Sequence, residues 1–135
     1  MAEHNELGRR GEDEACFYLA HEGYTLLDRN WRHDHLEIDI VAELFGEIVF
    51  VEVKTRARND FGQAFRAVDL AKKQHLLQAA MAYLHEHHLS DSPFRWDIIT
   101  VVGSQRPFDI THYPFAYSPE GVRREKEHRK RAFEV

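Results

Sequence analysis

Charged residues occupy positions of a predicted β-hairpin at which a sheet would normally place its core. Asp39 lies in the first strand, and Glu52 and Lys54 end the second strand, which is apolar on both faces from Ile48 to Val51. Two carboxylates that face each other across a sheet repel, because their Cβ atoms are roughly 5 Å apart. A divalent cation would remove that repulsion, and Mg²⁺ binds one or two carboxylates together with water and phosphates. These residue types therefore predict a divalent-cation site.

The turn between the two strands sets the register of the hairpin. Phe45-Gly46 is predicted to form a two-residue loop, since glycine adopts the positive φ that short hairpin turns require. Counting outward from that loop, Asp39 faces Glu52 and Glu37 faces Lys54. A bulge or a slip by one residue would separate the carboxylates. The cation site thus depends on an unbroken register between the turn and Asp39.

Strand alternation divides the hairpin residues between the two faces of the sheet. Glu37 and Asp39 share one face with Glu52 and Lys54. The other face receives the apolar residues Leu36, Ile38, Ile40 and Ala42. Simple pairing of Lys54 with Glu37 on a solvated strand end is the alternative to a cation site. The apolar run before Glu52 favours a half-buried position, and with it the cation site.

Length and composition predict a single globular domain over residues 1–135. No apolar run approaches the roughly 20 residues that are needed to cross a membrane. The polar and acidic N-terminus is unlike a secretory signal, and a lone cysteine, Cys16, suits a reducing compartment. We therefore expect a cytoplasmic protein without membrane contact. The net charge of −5 counts against a general nucleic-acid binder, so any such contact would depend on local charge.

The hairpin needs further elements around it to bury its apolar residues. In chain order the predicted elements are a helix (5–23), a strand (24–32), the two hairpin strands, a helix (68–88), a strand (95–102) and a weaker edge strand (108–113). This order predicts an α/β fold around one sheet. The second helix is expected to bury a stripe at helical spacing, flanked by Leu76 and Tyr83. That stripe consists of Leu70, Leu77, Ala80, Met81 and Leu84.

Glu12 lies in the first helix, at the edge of the stripe that faces the sheet. The neighbouring glycines Gly8 and Gly11 cost helix stability, up to about 1 kcal/mol each, so they indicate close packing or room for a ligand. A carboxylate at that edge could reach a metal site on the sheet. It could equally be a solvated acid in a first turn that the helix dipole favours. The residues alone leave both interpretations open.

Arginines and aromatic residues interleave after the second hairpin strand. Arg56 and Arg58 are followed by Phe61 and Phe65. Arginine pairs with phosphate, and aromatic rings stack on unpaired bases, so this segment could contact nucleic acid. The two rings could instead anchor a long loop to the core.

Two other basic segments have similarly divided interpretations. Lys73, near the start of the second helix, could contact phosphates or could be a solvated surface charge. The tail at about 119–135 carries six arginine and lysine residues. It could meet phosphates or could be a frayed C-terminus.

A resemblance to one known family extends over nearly the whole chain and is carried by six short runs: Gly8–Ala15, Glu22–Tyr24, Arg29–Arg32, Glu37–Asp39, Val49–Arg56 and Arg95–Asp97. The chain resembles the YraN-like family of small bacterial proteins. That family belongs to the PD-(D/E)-x-K nuclease superfamily and is related to archaeal Holliday junction resolvases. Two residues depart from the family's pattern, and neither is one of the candidate metal-binding residues. Ile38 replaces the superfamily's proline, and Leu36 replaces the glycine before Glu-Ile-Asp.

The resemblance implies a restriction-endonuclease-like αβββαβ core, with a central mixed sheet flanked by helices. It also implies that Asp39 and Glu52, with the Val53 carbonyl, bind Mg²⁺ or Mn²⁺, that Lys54 is the catalytic lysine, and that Glu12 completes the site. The implied reaction is hydrolysis of phosphodiester bonds in DNA rather than RNA, with branched or damaged DNA among the candidate substrates.

Partners and alternatives follow from the same resemblance. Arg56, Arg58 and Lys73 are the candidates for clamping the nucleic-acid backbone, and a homodimer is expected by analogy with the resolvases. A catalytically inactive nucleic-acid-binding module with the nuclease fold is the main alternative. A scaffold that binds only proteins is a third hypothesis.

Overall fold

Strands with apolar faces and two amphipathic helices assemble in the order that the sequence predicts. The computed structural model describes residues 6–58 and 70–116. The elements are α1 (Glu6–His21), β1 (Thr25–His33), β2 (Leu36–Leu44), β3 (Glu47–Arg56), α2 (Leu70–Glu86), β4 (Phe94–Val102) and β5 (Asp109–Tyr113). The α/β class and the αβββαβ order are confirmed, with β5 as an additional strand. The arrangement is compatible with a restriction-endonuclease-like core.

The five strands form one mixed sheet in the order β1-β2-β3-β4-β5. Strands β3 and β4 are parallel, and the other neighbouring pairs are antiparallel. Parallel neighbours need a long crossover connection, and the segment that contains α2 provides it. The sheet therefore places β3, which carries Glu52 and Lys54, at its centre and β5 at one edge.

The β2–β3 turn has the geometry that the sequence predicts. Phe45 and Gly46 have φ values of 51° and 82°, as a two-residue turn with two left-handed residues requires. The predicted register holds from the pair Leu44–Glu47 to the pair Ile40–Val51. Within residues 36–56, the pairing of β2 with β3 ends there. The prediction that Asp39 and Glu52 form a directly opposed pair therefore does not hold at the level of the backbone.

Alternation along β2 breaks at Asp39. Ile38 and Val41, three residues apart, both pack in the core cluster beneath α2, whereas Ile40 packs in the cluster beneath α1. The prediction that Ile38 and Ile40 share a face is therefore wrong. On the neighbouring strand, Asn30 has a left-handed φ of 52°, and the pairs on either side of it, Arg29–Ile40 and Trp31–Ile38, place it beside Asp39. Alternation along β2 is therefore lost beside a left-handed residue of the neighbouring strand.

The two helices cover opposite faces of the sheet. Ala15 and Leu19 of α1 pack with Val49 and Val51. Tyr83 and Leu84 of α2 pack in the other cluster, whose further members include Phe50 and Trp96. Within residues 6–58 and 70–116, no helix has the length and apolar content that crossing a membrane requires.

The buried stripe of α2 differs from the predicted one. Ala80 and Leu84 are buried as expected, but Leu77 and Met81 are exposed. The face that meets the sheet instead runs through Leu76, Ala79 and Tyr83. Trp96 donates its indole N–H to the Leu76 carbonyl at 3.1 Å, and this bond holds that face of the helix against the sheet. The side chains of residues 70–73 lie outside the described part of the chain.

Gly11 explains how α1 lies so close to the sheet. A Cβ atom at this position would overlap the side chain of Thr55 on β3. The glycine therefore permits the close approach that the sequence predicts, and it places Glu12 beside the end of β3.

Candidate functional site

Asp39 lies where β2 and β3 stop pairing. The backbone N–H of Val53 donates to Asp39 Oδ2 at 2.9 Å, so a side-chain carboxylate replaces the backbone acceptor that continued pairing would supply. This bond fixes the carboxylate in the fork between the two strands. The predicted proximity of Asp39 to the Glu52–Lys54 segment is thus achieved through a side chain rather than through strand pairing.

Burial raises the pKa of Asp39 from its ordinary value of 3.8 to about 7. The bond from Val53 opposes this shift, and the negative charges of Glu12, Glu52 and Glu37 add to it in that order of size. Desolvation and like charges both disfavour an ionised carboxylate. The fork therefore brings together carboxyl groups whose ionised forms a bound cation would stabilise.

Glu52 and Lys54 form an ion pair on β3. Lys54 Nζ lies 3.0 Å from Glu52 Oε2, and the two side chains are only 12% and 15% exposed. The alternative pairing of Lys54 with Glu37 is not the one observed, because Glu37 Oε2 lies 2.8 Å from Nη2 of Arg32. The lysine is thus held against a carboxylate of the candidate site.

The acids of the fork line a cleft of about 180 Å³. Its walls are formed by Glu37, Asp39 and Glu52 together with the apolar side chains of Leu76 and Trp96. Electrostatic interactions are stronger beside such apolar walls than in bulk water. The cleft therefore offers charged oxygen atoms in a partly desolvated setting.

Glu12 approaches the same region from α1 but is not among the residues that line the cleft. Its side chain is 14% exposed and lies 3.6 Å from Arg29, which also pairs with Asp13 at 3.0 Å. The interpretation of Glu12 as a solvated surface acid is therefore wrong. Its charge acts on Asp39, and its position is set by the contact of Gly11 with Thr55.

The donor atoms of the fork fit a hard divalent cation. Within residues 6–58 and 70–116, no three His, Cys, Asp or Glu side chains come close enough together to surround one ion. Mg²⁺ does not need such a cage, since it commonly keeps several waters and takes one or two carboxylates. Asp39 and Glu52, with the Val53 carbonyl, supply ligands of that kind.

The residues predicted to contact nucleic acid are only partly described. Arg56 and Arg58 are exposed at and beyond the end of β3, and Nη1 of Arg56 donates to the Thr55 carbonyl at 2.8 Å. Lys73 belongs to α2, but its side chain lies outside the described part of the chain. Phe61, Phe65 and the tail at 119–135 also lie outside it.

A second buried charge cluster, which the sequence does not predict, is centred on Asp97 of β4. Asp97 is 0% exposed. Its Oδ1 accepts from Nε of Arg95 at 2.9 Å and from the backbone N–H of Phe115 at 3.1 Å, and its Oδ2 lies 2.7 Å from Nε2 of His112. Both carboxylate oxygens are therefore engaged by donors of the protein itself.

Arg95 extends this cluster to other elements. Its Nη1 donates to Glu47 Oε1 at 2.8 Å, and its Nη2 donates to the Tyr24 hydroxyl at 3.0 Å. The sequence does contain a signal for the Asp97 cluster, namely two opposite charges two residues apart in an apolar strand. Glu52 and Lys54 in the candidate site have the same spacing. Spacing alone therefore does not distinguish the candidate site from the Asp97 cluster.

Comparisons with known proteins assign the chain to a family. The model of the family described as "Uncharacterised protein family UPF0102" matches residues 11–101. A UPF0102 protein of Bacteroides thetaiotaomicron is 49% identical over 119 residues, which are 88% of this chain and 98% of the relative. A UPF0102 protein of Phocaeicola vulgatus is 44% identical over 119 residues, with the same coverage of 88% and 98%. A UPF0102 protein of Myxococcus xanthus is 37% identical over 116 residues, which are 86% of this chain and 92% of the relative. These matches confirm the YraN-like resemblance at the level of the family, and the chain belongs to the UPF0102 family.

Proposed function

We propose that this protein is a metal-dependent nuclease of the PD-(D/E)-x-K superfamily that hydrolyses phosphodiester bonds in DNA, with Mg²⁺ or Mn²⁺ as its cofactor. One observation carries the proposal. The half-buried Asp39 carboxylate shares a cleft with Glu52, and Glu52 holds Lys54 at 3.0 Å. An acid whose pKa is raised by burial and by neighbouring carboxylates, beside a lysine and in a cleft, is typical of catalytic sites.

Asp39 and Glu52, with the Val53 carbonyl, would hold the metal ion. A bound ion of this class polarises a phosphate oxygen and lowers the pKa of a bound water. Asp39 is oriented for this role by the 2.9 Å bond from the Val53 N–H. That bond uses Oδ2, so Oδ1 would be the oxygen that binds the ion.

Lys54 would act on the reacting phosphate. Its ion pair with Glu52 keeps the ammonium group at the wall of the cleft. From there it can orient the attacking water or stabilise the negative charge that develops on the phosphate oxygens. Removing one such stabilising group commonly costs about 10²–10³ in rate.

Glu12 and the arginines have supporting roles in this proposal. Glu12, beside Arg29, adds negative charge at Asp39 and so strengthens the attraction for a cation. Arg56 and Arg58, exposed at the end of β3, would contact the phosphate backbone, as would Lys73. The proposed partner is accordingly nucleic acid, DNA rather than RNA. A homodimer and a cytoplasmic location belong to the same proposal.

A binding module without turnover is the second candidate. The lack of a three-ligand cluster within the described ranges favours it over an enzyme with a preformed metal cage. In this case the fork would be a structural remnant. The protein would then bind nucleic acid through its arginines.

A cleavage assay tests the proposal. Duplex, single-stranded and branched DNA, and matching RNA, are incubated with Mn²⁺ and the wild type, Asp39→Asn, Lys54→Ala or the control Asp109→Asn, which changes an exposed acid of the edge strand β5. We expect DNA cleavage by the wild type and by Asp109→Asn, and a loss of about 10²-fold or more in the other two variants. Binding without cleavage by the wild type would favour the binding module. Cleavage that survives Asp39→Asn would contradict the proposed site.

A further inference from the structure

A second cleft, of about 310 Å³, lies on the side of α1 next to the β4–β5 turn. Its lining residues include Arg10, Glu14 and Phe17 of α1 and Arg106 of the turn. None of these residues belongs to the fork described above. The cleft combines two arginines with an aromatic ring.

Phe17 is the unusual residue of this cleft. Its side chain is 62% exposed, although burial of a phenylalanine normally contributes about 1.5–3 kcal/mol to stability. The guanidinium carbon of Arg106 lies over its ring, 5.6 Å from the centroid. Nucleic-acid bases stack on aromatic rings and on guanidinium groups of this kind.

The acids of the cleft are already engaged. Glu14 Oε2 accepts from Nε of Arg106 at 2.6 Å, and Asp13 pairs with Arg29 at 3.0 Å. The Glu14 carboxylate is largely buried, whereas Arg106 is exposed. Since Glu14 uses Nε, the edge of the guanidinium formed by the two Nη atoms is not required for that pair. Glu14 thus holds Arg106 through Nε and leaves the two Nη atoms to contact a ligand.

A continuous series of contacts joins this cleft to the end of β3. Nη1 of Arg10 donates to the Ser104 carbonyl at 3.1 Å, and the N–H of Gly103 donates to the Arg56 carbonyl at 2.9 Å. On α1, Gly11 packs against Thr55, which lies between Lys54 and Arg56. The second cleft and the end of β3 are therefore joined through two hydrogen bonds and one helix–strand contact, so a nucleic acid bound at Arg56 would lie close to Arg10.

We infer that this cleft binds an unpaired nucleotide, whose base stacks on Phe17 and whose flanking phosphates contact Arg10 and Arg106. The inference rests on the proposed function and names its substrate class: a nucleic acid with a single-stranded segment beside the bond to be cleaved. An aromatic face next to arginines accepts any base, because every base has a π-face, so the cleft would bind without sequence preference.

Equilibrium binding tests the inference without requiring catalysis. A fluorescent oligothymidine is titrated in EDTA with the wild type, Phe17→Leu and the control Phe45→Leu. Phe45 is 99% exposed at the β2–β3 turn, so the control removes a ring that is more accessible than that of Phe17. We expect Phe17→Leu to raise the Kd about five-fold or more, since one base loses its stacking partner. We expect the control to stay within about two-fold of the wild type.

A salt titration gives a second readout for the arginines. Arg10→Gln with Arg106→Gln should reduce the slope of log K against log salt by roughly 0.7 for each phosphate of a single strand that the variant no longer neutralises. Both side chains are exposed, so this variant is expected to fold. An unchanged slope would contradict the assignment of the two arginines to phosphates.

The outcomes separate this inference from the nuclease proposal. Equal Kd values for the wild type, Phe17→Leu and Phe45→Leu would overturn the inference, even if Asp39→Asn still abolishes cleavage. Absence of oligothymidine binding by the wild type would overturn it as well. Weaker binding by Phe17→Leu alone would support the cleft, and it would do so even if no variant or wild-type protein cleaves DNA.

Discussion

Two neighbouring strands each carry a pair of opposite charges two residues apart, and the structure uses the pairs differently. Glu52 and Lys54 lie on β3, and Arg95 and Asp97 lie on the parallel strand β4. The register pairs Glu52 with Ile98 of the α2-side core and pairs Asp97 with Val51 of the α1-side core. The two acids thus point to opposite faces of one sheet.

Asp97 is buried among donors that compensate its charge. Arg95, His112 and the Phe115 N–H contact its two oxygens. Asp39, in the fork beside Glu52, has other acids around it instead, and its pKa is raised to about 7. Removal of an acid that is buried with cationic partners destabilises a fold, whereas a half-buried acid among other acids indicates a site for an external cation.

The same substitution at the two acids should therefore have opposite effects on stability, and the larger effect is expected at Asp97. Asp97→Asn removes the counter-charge at Nε of the buried Arg95 and leaves only Glu47 at Nη1, which should lower the free energy of unfolding by about 3–5 kcal/mol. Urea denaturation followed by circular dichroism measures this, with Asp109→Asn as the exposed control. A loss below about 1 kcal/mol would mean that the cluster is not the structural element described.

Asp39→Asn should stabilise the metal-free protein at pH 8. The pKa of Asp39 in the folded chain, about 7, lies above its ordinary value of 3.8. Ionisation therefore costs folding free energy, a cost that is absent below about pH 4, grows as the pH rises to 7 and is complete above it. Its size is at most about 4 kcal/mol, from 1.36 kcal/mol per pKa unit.

Urea denaturation in EDTA between pH 4 and pH 9 checks this expectation. The difference between the wild type and Asp39→Asn isolates the contribution of this carboxyl. A difference that does not change with pH would contradict the raised pKa.

Metal affinity should depend on pH through the same carboxyl. A divalent cation binds the ionised form, so the affinity for Mn²⁺ should rise about tenfold per pH unit up to pH 7 and then level off. Calorimetric titration between pH 5.5 and pH 8 measures the slope. An affinity that is flat across this range would indicate that Asp39 is not a ligand.

His112 provides the smallest and sharpest test of the Asp97 cluster. His112→Ala removes one of several partners of Asp97 and the 2.9 Å contact with the Tyr18 hydroxyl. The expected loss of stability is about 1–2 kcal/mol. Thermal denaturation of His112→Ala, Asp97→Asn and the double variant measures the coupling, and strictly additive losses would show that the two side chains do not interact.

Much of the fold follows from local features of the sequence. The Phe45-Gly46 turn, the apolar runs of β3 and β4, and the glycine that ends α1 predict the element order correctly. The register near the turn follows from loop length alone. It is lost at Asp39, where a left-handed Asn30 on the neighbouring strand and the Val53 bond replace regular pairing. Neither of those features can be read from a hydrophobic pattern.

The remaining errors come from tertiary packing. Leu77 and Met81 satisfy helical spacing but face outward, because Tyr83 and the bond from Trp96 to Leu76 decide which face of α2 meets the sheet. Glu12 could not be placed from the sequence, since its burial depends on the contact between Gly11 and Thr55. The pairs Arg95–Asp97 and Glu52–Lys54 have the same spacing and the same combination of charges. Only their partners on other strands distinguish them.

The most direct test of the central claim is calorimetric titration of Mn²⁺ into the wild type and Asp39→Asn at pH 8. The wild type should bind one ion per chain, and Asp39→Asn should show no saturable binding under the same conditions. Asp109→Asn should match the wild type. Equal binding by the wild type and Asp39→Asn, or no binding by the wild type, would contradict the assignment of the fork between β2 and β3 as a divalent-cation site.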